Sequence, residues 1–546
     1  MQKVRKLLPL LLCCAILLSF CACGAKPESN EGSNNDPASD PDKITDVNPG
    51  IQDSTQVNKD GVEGISEDAV LKAGIQGEPQ MLRTYDGGNL GGVIDDAIYD
   101  TLIFFNSVTG EYEPCLATKW EIIDDCTTRY YLRDDVYTVN GTQITASDVV
   151  YTFREGQLNP SAQADFGYYD VDNFVIHDDF TIDIVTFEPF ANAVIYLAQI
   201  SFGIHCEKDA IAAGGMDALI TNPVDTCGRY YFKEWLRGDR IILERNENYW
   251  GEPGYYKTIE VYFIADSTTR AFALQSGDVD VITYLNATQA EEMQSDPNLT
   301  IISQPAGTMI GMALNCSHPP FDNPKVREAI AYAINKDAIL QIYSNGYGST
   351  VDVLLPAANP LYTDIDASLK YSYNPEYAKQ LLAEAGYGDG LVFGLILSNM
   401  YQRIAEIIQS NLADIGVTVE IDAREITGWF EVQNSGQYDA NIAAWFPGNN
   451  IQPFYVMDGR VPFVAKGLSA IDSSAWNDTL DVLYGTADVE QGRVYSKELL
   501  EIAAKEVPIV ALISSDYLFA ANSNLTNFYC STKCDMLHFD MLKPVG

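Results

Sequence analysis

Histidine is nearly absent from this 546-residue chain: His177, His205, His318 and His538 are the full set, and they stand far apart in sequence. None belongs to an H-E-x-x-H pair, and neither G-x-S-x-G nor a Walker A loop occurs. Zinc proteases, hydrolases of the nucleophile-elbow type and P-loop ATPases are therefore disfavoured, and no metal ligand set is expected. Cations are also scarce, with Lys+Arg at 34 against Asp+Glu at 76 and a formal charge of −42. Such a balance repels phosphate backbones and anionic headgroups, which argues against nucleic acid as a partner and against electrostatic membrane attachment. Carboxylates are too plentiful for spacing to single out a glycosidase pair. After residue 18 no apolar run approaches the ~20 residues that a membrane-spanning helix needs, and no repeat of solenoid period is visible.

What is present is enough apolar material, 47 % hydrophobic and 11 % aromatic, for two or three packed units. At the amino end Lys3, Arg5 and Lys6 precede an apolar run from Leu7 to Leu18, long enough for a signal-peptide core and too short to span a bilayer. Cleavage after a small residue selects Cys23, which follows Ala22, over Cys21, which follows Phe20. The string "LLSFCACGAK" resembles the lipobox of bacterial lipoproteins, which implies a signal peptide over 1–22 and a diacylglycerol on Cys23. Two acyl chains suffice for stable anchoring where one is marginal. Residues 23–66 then read as the lipidated cysteine and a disordered tether of Asn, Ser, Asp, Pro and Gly. Seven further cysteines remain beyond the anchor, and the nearest pair, Cys530 and Cys534, fits either a disulfide or burial as small apolar side chains.

Elements of both kinds alternate through the body. Asn374 and Pro375 form a helix start, Ala378, Leu381, Leu382 and Ala385 one apolar face, and Gly386 a stop. "GLVFGLIL" reads as a buried strand. A helix with Ile404, Ile407, Ile408, Leu412 and Ile415 follows, ended by Gly416, and then the strand "VTVEI". Strand, helix, strand implies a right-handed parallel crossover and an α/β lobe. Residues 115–143 instead look antiparallel, with "TTRYYLR" and "VYTV" flanking a turn at Asp134 and Asp135. Thr145 with Asp148 three residues on caps the next helix.

Four phrases carry a resemblance to the family 5 extracellular solute-binding proteins, the oligopeptide, dipeptide and nickel receptors of ABC importers. They are "CLATKWEIIDDCTTRYYLRDDVYTVNGTQITASDVVYTF", "TCGRYYFKEWLRGDRIILERNENYWG", "STTRAFALQSGDVDV" and "PPFDNPKVREAIAYAINKDAIL", in family order within a span of about 68 to 540. The resemblance implies an α/β fold of the periplasmic-binding-protein type, two hinged lobes with an extra lobe inserted in the first. By phrase, lobe I takes 68–110, 222–312 and 508–546, lobe II takes 111–221, and lobe III takes 313–507, with hinge crossings near 312 and 507. It further implies capture without catalysis and without a cofactor, by a monomer on the outer face of the cell membrane. The partners would be a peptide or other small solute and the transmembrane and ATPase subunits of an ABC permease.

In peptide receptors of that family a tryptophan ending a lobe III strand is followed, three residues on, by an aspartate that pairs with the peptide's amino terminus. Trp445 matches the tryptophan, but Gly448 stands at the aspartate position, with Asn449 and Asn450 beyond. An amide is only a neutral partner for an ammonium, so an oligopeptide and a neutral solute such as an oligosaccharide both remain open as ligands. The other expected contacts rest on position: Asn89 in the loop "DGGNLGG", Asn315 beside the expected hinge, and Tyr347 in "NGYGS".

Overall fold

The structure is a computed structural model. It describes residues 51–53 and 66–545, apart from 86–89, 161, 191–192, 306–307, 354, 356, 358, 360, 446–453, 455–456, 459–470, 472, 487 and 532–535. The expected signal peptide, Cys23 and most of the expected tether lie outside these residues. Ile51–Asp53, expected within the tether, instead pairs in parallel with Leu299–Gln304 at the edge of the lobe I sheet.

Lobe I is an eight-stranded sheet in the order Ile51–Asp53, Leu299–Gln304, Tyr517–Asn522, Val281–Ile282, Val70–Ile75, Thr258–Phe263, Arg240–Arg245, Tyr230–Leu236. Val70–Ile75 runs parallel to Thr258–Phe263 and to Val281–Ile282. Tyr517–Asn522 runs against both Val281–Ile282 and Leu299–Gln304, so Leu299–Gln304 points the same way as the first three.

Lobe III is a six-stranded sheet in the order Gly348–Thr350, Ile509–Ser515, Met309–Leu314, Ala440–Trp445, Leu391–Ser398, Val417–Arg424. The crossover read from the sequence is there: Leu391–Ser398 and Val417–Arg424 pair in parallel around the helix Gln402–Ala413. Ile404, Ile408 and Leu412 are buried against that sheet, each contributing ~1.5–3 kcal/mol by leaving water. The helix Pro324–Ala333 starts where Asn323 accepts from Lys325 N at 3.0 Å and buries Val326, Ala329, Ile330 and Ala333. Asn374 likewise accepts from Tyr377 N at 3.0 Å, and Gly386 ends the helix Pro375–Glu384 region at φ +91°.

Lobe II is a four-stranded antiparallel sheet, Ala117–Asp124, Thr127–Leu132, Thr181–Val185 and Val175–Asp178, beside the hairpin of Ile103–Asn106 with Glu111–Pro114. Its core takes in Leu102 and Ile103, so the lobe starts some residues before the expected 111. The expected pairing across Asp134 and Asp135 does not form. Thr127–Leu132 pairs with Ala117–Asp124 and Thr181–Val185 instead, and Tyr137 makes one bridge to Gln143. The reason is burial: Thr128, Tyr130 and Leu132 face Ile182 and Ile184 in the core, while Tyr137 and Val139 stay exposed. The Thr145–Asp148 cap forms as expected, with Thr145 N donating to Asp148 Oδ2 at 2.7 Å.

Sheet membership also moves the hinge. Met309–Leu314 and Ile509–Ser515 both belong to the lobe III sheet, so the chain crosses between Gln304 and Met309 and again at Asp516, not near 312 and 507. Met309–Leu314 is buried at every position and supplies the middle of the second sheet, which a connecting segment could not do.

Candidate functional site: the cleft at the two crossings

In lobe III the strands Leu391–Ser398, Val417–Arg424, Ala440–Trp445 and Ile509–Ser515 all end on one edge of the sheet, and Met309 starts there opposite Trp445. In lobe I the strands ending at Ile75, Phe263, Ile282 and Gln304 likewise share an edge, where Tyr517 pairs with Gln304. Both crossings join these two edges. One is four residues long and the other is Asp516 alone, so the carboxyl ends of the parallel strands in the two lobes are held face to face. Carboxyl edges of open α/β sheets are where loops splay apart and ligands bind.

The edges are built to hold their shape. Arg270, buried, donates from Nε to Thr283 O at 2.9 Å, from Nη1 to Ile264 O at 2.6 Å and from Nη2 to Tyr284 O at 3.0 Å, tying together the ends of two lobe I strands. Its environment is carbonyl oxygen, which makes it part of the scaffold, and burial pulls its basicity down. Thr283 Oγ1 donates to Gln76 Oε1 at 3.1 Å, and the Tyr284 and Tyr517 rings meet edge to face at 6.0 Å. At the single-residue crossing Ser303 Oγ donates to Asp516 Oδ2 at 2.5 Å, and Asp516 N donates to Tyr347 O at 3.4 Å. Across the cleft Asn399 Nδ2 donates to Glu425 Oε1 at 2.8 Å, and both residues are exposed at the strand ends.

Of the residues expected from the sequence, Trp445 and Tyr347 reach this region. Trp445 is half-buried on the lobe III edge, its ring lying over Gly311, where an added Cβ would stand 3.1 Å from it. Tyr347 is 7 % exposed and packs with Leu274, Ile282 and Leu518 of lobe I, bracing the crossing with its side chain turned into the core. Asn315 is not at the cleft. It follows Leu314, at the opposite edge, where its Nδ2 donates to Tyr438 O at 2.8 Å and its Oδ1 accepts from Ser317 Oγ at 2.6 Å. The amide is spent inside the lobe at 0 % exposure. Asn89, Asn449, Asn450 and Gly448 lie outside the described residues.

Sequence reasoning missed Gln76, Thr283, Tyr284, Asn399, Glu425 and Tyr517. The signal was available: each stands within two residues of a strand end on the shared edge.

Four histidines that look solitary in sequence each have a partner. His205 holds Asp225 Oδ2 at 2.7 Å and Thr84 Oγ1 at 3.0 Å, yet it is 0 % exposed, so this network fastens lobe I to lobe II. His177 shares Asp183 with Arg129 at 2.9 Å, His318 approaches Asp439 at 3.9 Å, and His538 approaches Asp540 at 3.6 Å.

Two α/β lobes joined by short paired crossings at their carboxyl edges define a hinged binding protein. The chain belongs to the bacterial extracellular solute-binding proteins, family 5, whose middle region matches residues 111–460. It is similar to Heme-binding protein A of Haemophilus influenzae, 27 % identical over 453 residues that cover 77 % of this chain and 82 % of that protein. The dipeptide-binding protein of Escherichia coli is 28 % identical over 399 residues, 68 % of this chain and 73 % of the relative. Among solved structures, the periplasmic binding protein DppA of Helicobacter pylori in complex with the peptide STSA superposes with a TM-score of 0.66 at 25 % identity, covering 88 % of this chain and 98 % of that one.

Proposed function

We propose that this protein captures a short peptide between the two strand edges and delivers it, chemically unchanged, to an ABC permease while anchored as a monomer to the outer face of the membrane through a lipidated Cys23. The observation that carries the reading is the placement of both crossings on the carboxyl edges, with Trp445 beside them. The peptide class is supported by the relatives that bind dipeptide and STSA. The anchor at Cys23 is supported by the sequence, where Ala22 and Cys23 follow the apolar run Leu7 to Leu18. The sealed state of the Thr84–His205–Asp225 network supports a receptor without catalysis, since no substrate reaches His205.

Within the cleft Trp445 supplies an apolar wall, and the accessible parts of Gln76 and Asn399 supply donors and acceptors suited to peptide amides. Gly448, where the family's peptide receptors carry an aspartate, removes the carboxylate dedicated to a free amino terminus. Calorimetry with a peptide such as STSA in free and acetylated form tests this. The two forms are expected to differ by less than about tenfold, or 1.4 kcal/mol. A much larger loss on acetylation would assign the ammonium to a carboxylate on the described edge, Glu425 or Asp516. Failure of peptides to bind together with saturable binding of an oligosaccharide would replace the peptide class with the neutral solute that Asn449 and Asn450 also suit.

A further inference from the structure

A cavity of about 290 Å³ lies on the seam between lobes I and II, and its lining includes none of the strand ends that face the hinge. Its walls come from the helix Gly92–Ile98 and the residues after it, from Arg229, Tyr249 and Trp250, and from Tyr529, Ser531, Met536, His538 and Asp540 near the C-terminus. None of Trp445, Thr283, Asn399 or Tyr517 lines it.

Its charge is one-sided. Six carboxylates face it, Asp95, Asp96, Asp100, Glu113, Asp165 and Asp540, against two guanidinium groups and His538. Both guanidinium groups have partners already: Arg229 pairs with Asp540 Oδ2 at 3.2 Å, and Arg83 pairs with Asp217 at 3.4 Å. The remaining wall is aromatic, with Phe104, Phe105, Tyr249 and Trp250, whose ring faces favour a cation. Among the described residues no group of His, Cys, Asp or Glu is arranged to hold a metal ion, so the walls suit an organic cation better than a bare one.

Two polar atoms in the wall are left without a hydrogen bond. Ser201, 7 % exposed, lines the cavity with its Oγ unpaired, and Asp540, 4 % exposed, has no hydrogen bond to its Oδ1, which stands 3.6 Å from His538 Nδ1. A buried acceptor without a donor costs about 1–3 kcal/mol, and an ammonium supplies donors. Asp100 adds to the case. It accepts from Trp250 Nε1 at 2.7 Å and Tyr249 OH at 3.2 Å, yet burial still raises its pKa to about 6, so at neutral pH the fold carries an ionised carboxylate at a cost that a cation in the cavity offsets.

We propose that this cavity is a second ligand site, separate from the solute cleft, that takes a small organic cation: an alkylammonium or diammonium ion with a short apolar body. The ammonium lies among Asp100, Asp540 and Ser201, and the carbon chain lies along Phe104, Phe105 and Trp250.

Calorimetry on the full chain with diaminobutane tests it, with butanediol as the neutral isostere and inorganic phosphate as the anion. The diamine is expected to bind saturably with one-to-one stoichiometry, and neither butanediol nor phosphate should bind. Asp100→Asn should weaken the diamine at least tenfold and Ser201→Ala about threefold, with far-ultraviolet circular dichroism and melting curves showing that both variants are folded. Trp445→Ala should leave diamine affinity unchanged even where it abolishes peptide binding. The proposal is overturned if the diamine does not bind the unmodified chain, if butanediol binds as well as the diamine, or if Asp100→Asn binds it undiminished. Loss of diamine binding in Trp445→Ala with retention in Asp100→Asn would place the amine in the solute cleft and equally overturn it.

Discussion

Asp100 shows how one carboxylate couples the fold to pH. Burial is the largest influence and raises its pKa to about 6, while the Trp250 bond, the charge of Arg229 and the Tyr249 bond pull the other way and the charge of Asp540 adds to the rise. Because the folded pKa lies above the unfolded value, the native state holds a proton that the unfolded chain releases between about pH 4 and 6. The contribution of this group to stability is therefore greatest at low pH and is lost as pH rises through 6. Asp100→Asn removes the titration, so its stability relative to the unmodified protein should improve by about 1 kcal/mol between pH 5 and 7.5. Urea unfolding of both proteins at the two pH values checks this, and a stability difference independent of pH would show that Asp100 is not buried in the ionised form. None of this was legible in the sequence, where Asp100 is one of 76 acids. Its neighbours Trp250 and Arg229 lie more than a hundred positions away and are brought to it by the packing together of separate chain segments of lobe I. The position of Trp445 at the end of a strand was legible through the family pattern that it matches. Asn315 misled because polarity next to an expected hinge looks like a pocket, whereas the amide closes the far end of a buried strand.

At the scale of elements, capping and periodicity carried most of the information. Asn323, Asn374 and Thr145 cap the helices expected of them, and the parallel pair around Gln402–Ala413 follows from its apolar stripe. Pairing partners in lobe II were less legible, since "TTRYYLR" and "VYTV" have equal strand propensity and only long-range burial separates them. The strand Met309–Leu314 was hidden for a related reason: it lies where the chain changes lobes, and a run of buried residues reads the same in either sheet. Gly311 in that strand gives a direct test of how the strand positions the site. An alanine Cβ there would stand 3.0 Å from Val510 O and 3.1 Å from both Ile509 Cγ2 and the Trp445 ring. Gly311→Ala should therefore push Trp445 off the strand and cost about 1–3 kcal/mol through overpacking. Chemical unfolding measures the stability, and calorimetry with the bound solute should show a parallel fall in affinity of about tenfold. Unchanged affinity would mean that Trp445 is not a wall of the binding site.

For the whole molecule, two attachments matter: the proposed one of the chain to the membrane and that of one lobe to the other. Cys23→Ala should release the protein from membranes, because after the signal peptide no other run of the sequence is apolar enough to hold it. Fractionation of cells expressing the variant decides this, and retention in the membrane fraction would contradict the lipid anchor. The two-lobed plan and its inserted lobe were legible through the four family phrases, while the crossings were displaced because the phrases mark helices and strands instead of the residues between them. With the crossings between Gln304 and Met309 and at Asp516, the two sheets are joined by a few residues, and the Ser303–Asp516 bond ties the strand entering one crossing to the other. A solute bound at the Trp445 edge gains contacts with lobe I only when the lobes approach, so binding must favour the closed form. Small-angle X-ray scattering of the protein with and without a solute shown by calorimetry to require Trp445 tests this most directly. The account predicts a smaller radius of gyration in the bound state, and an unchanged scattering profile at saturation would contradict capture by closure of the two lobes.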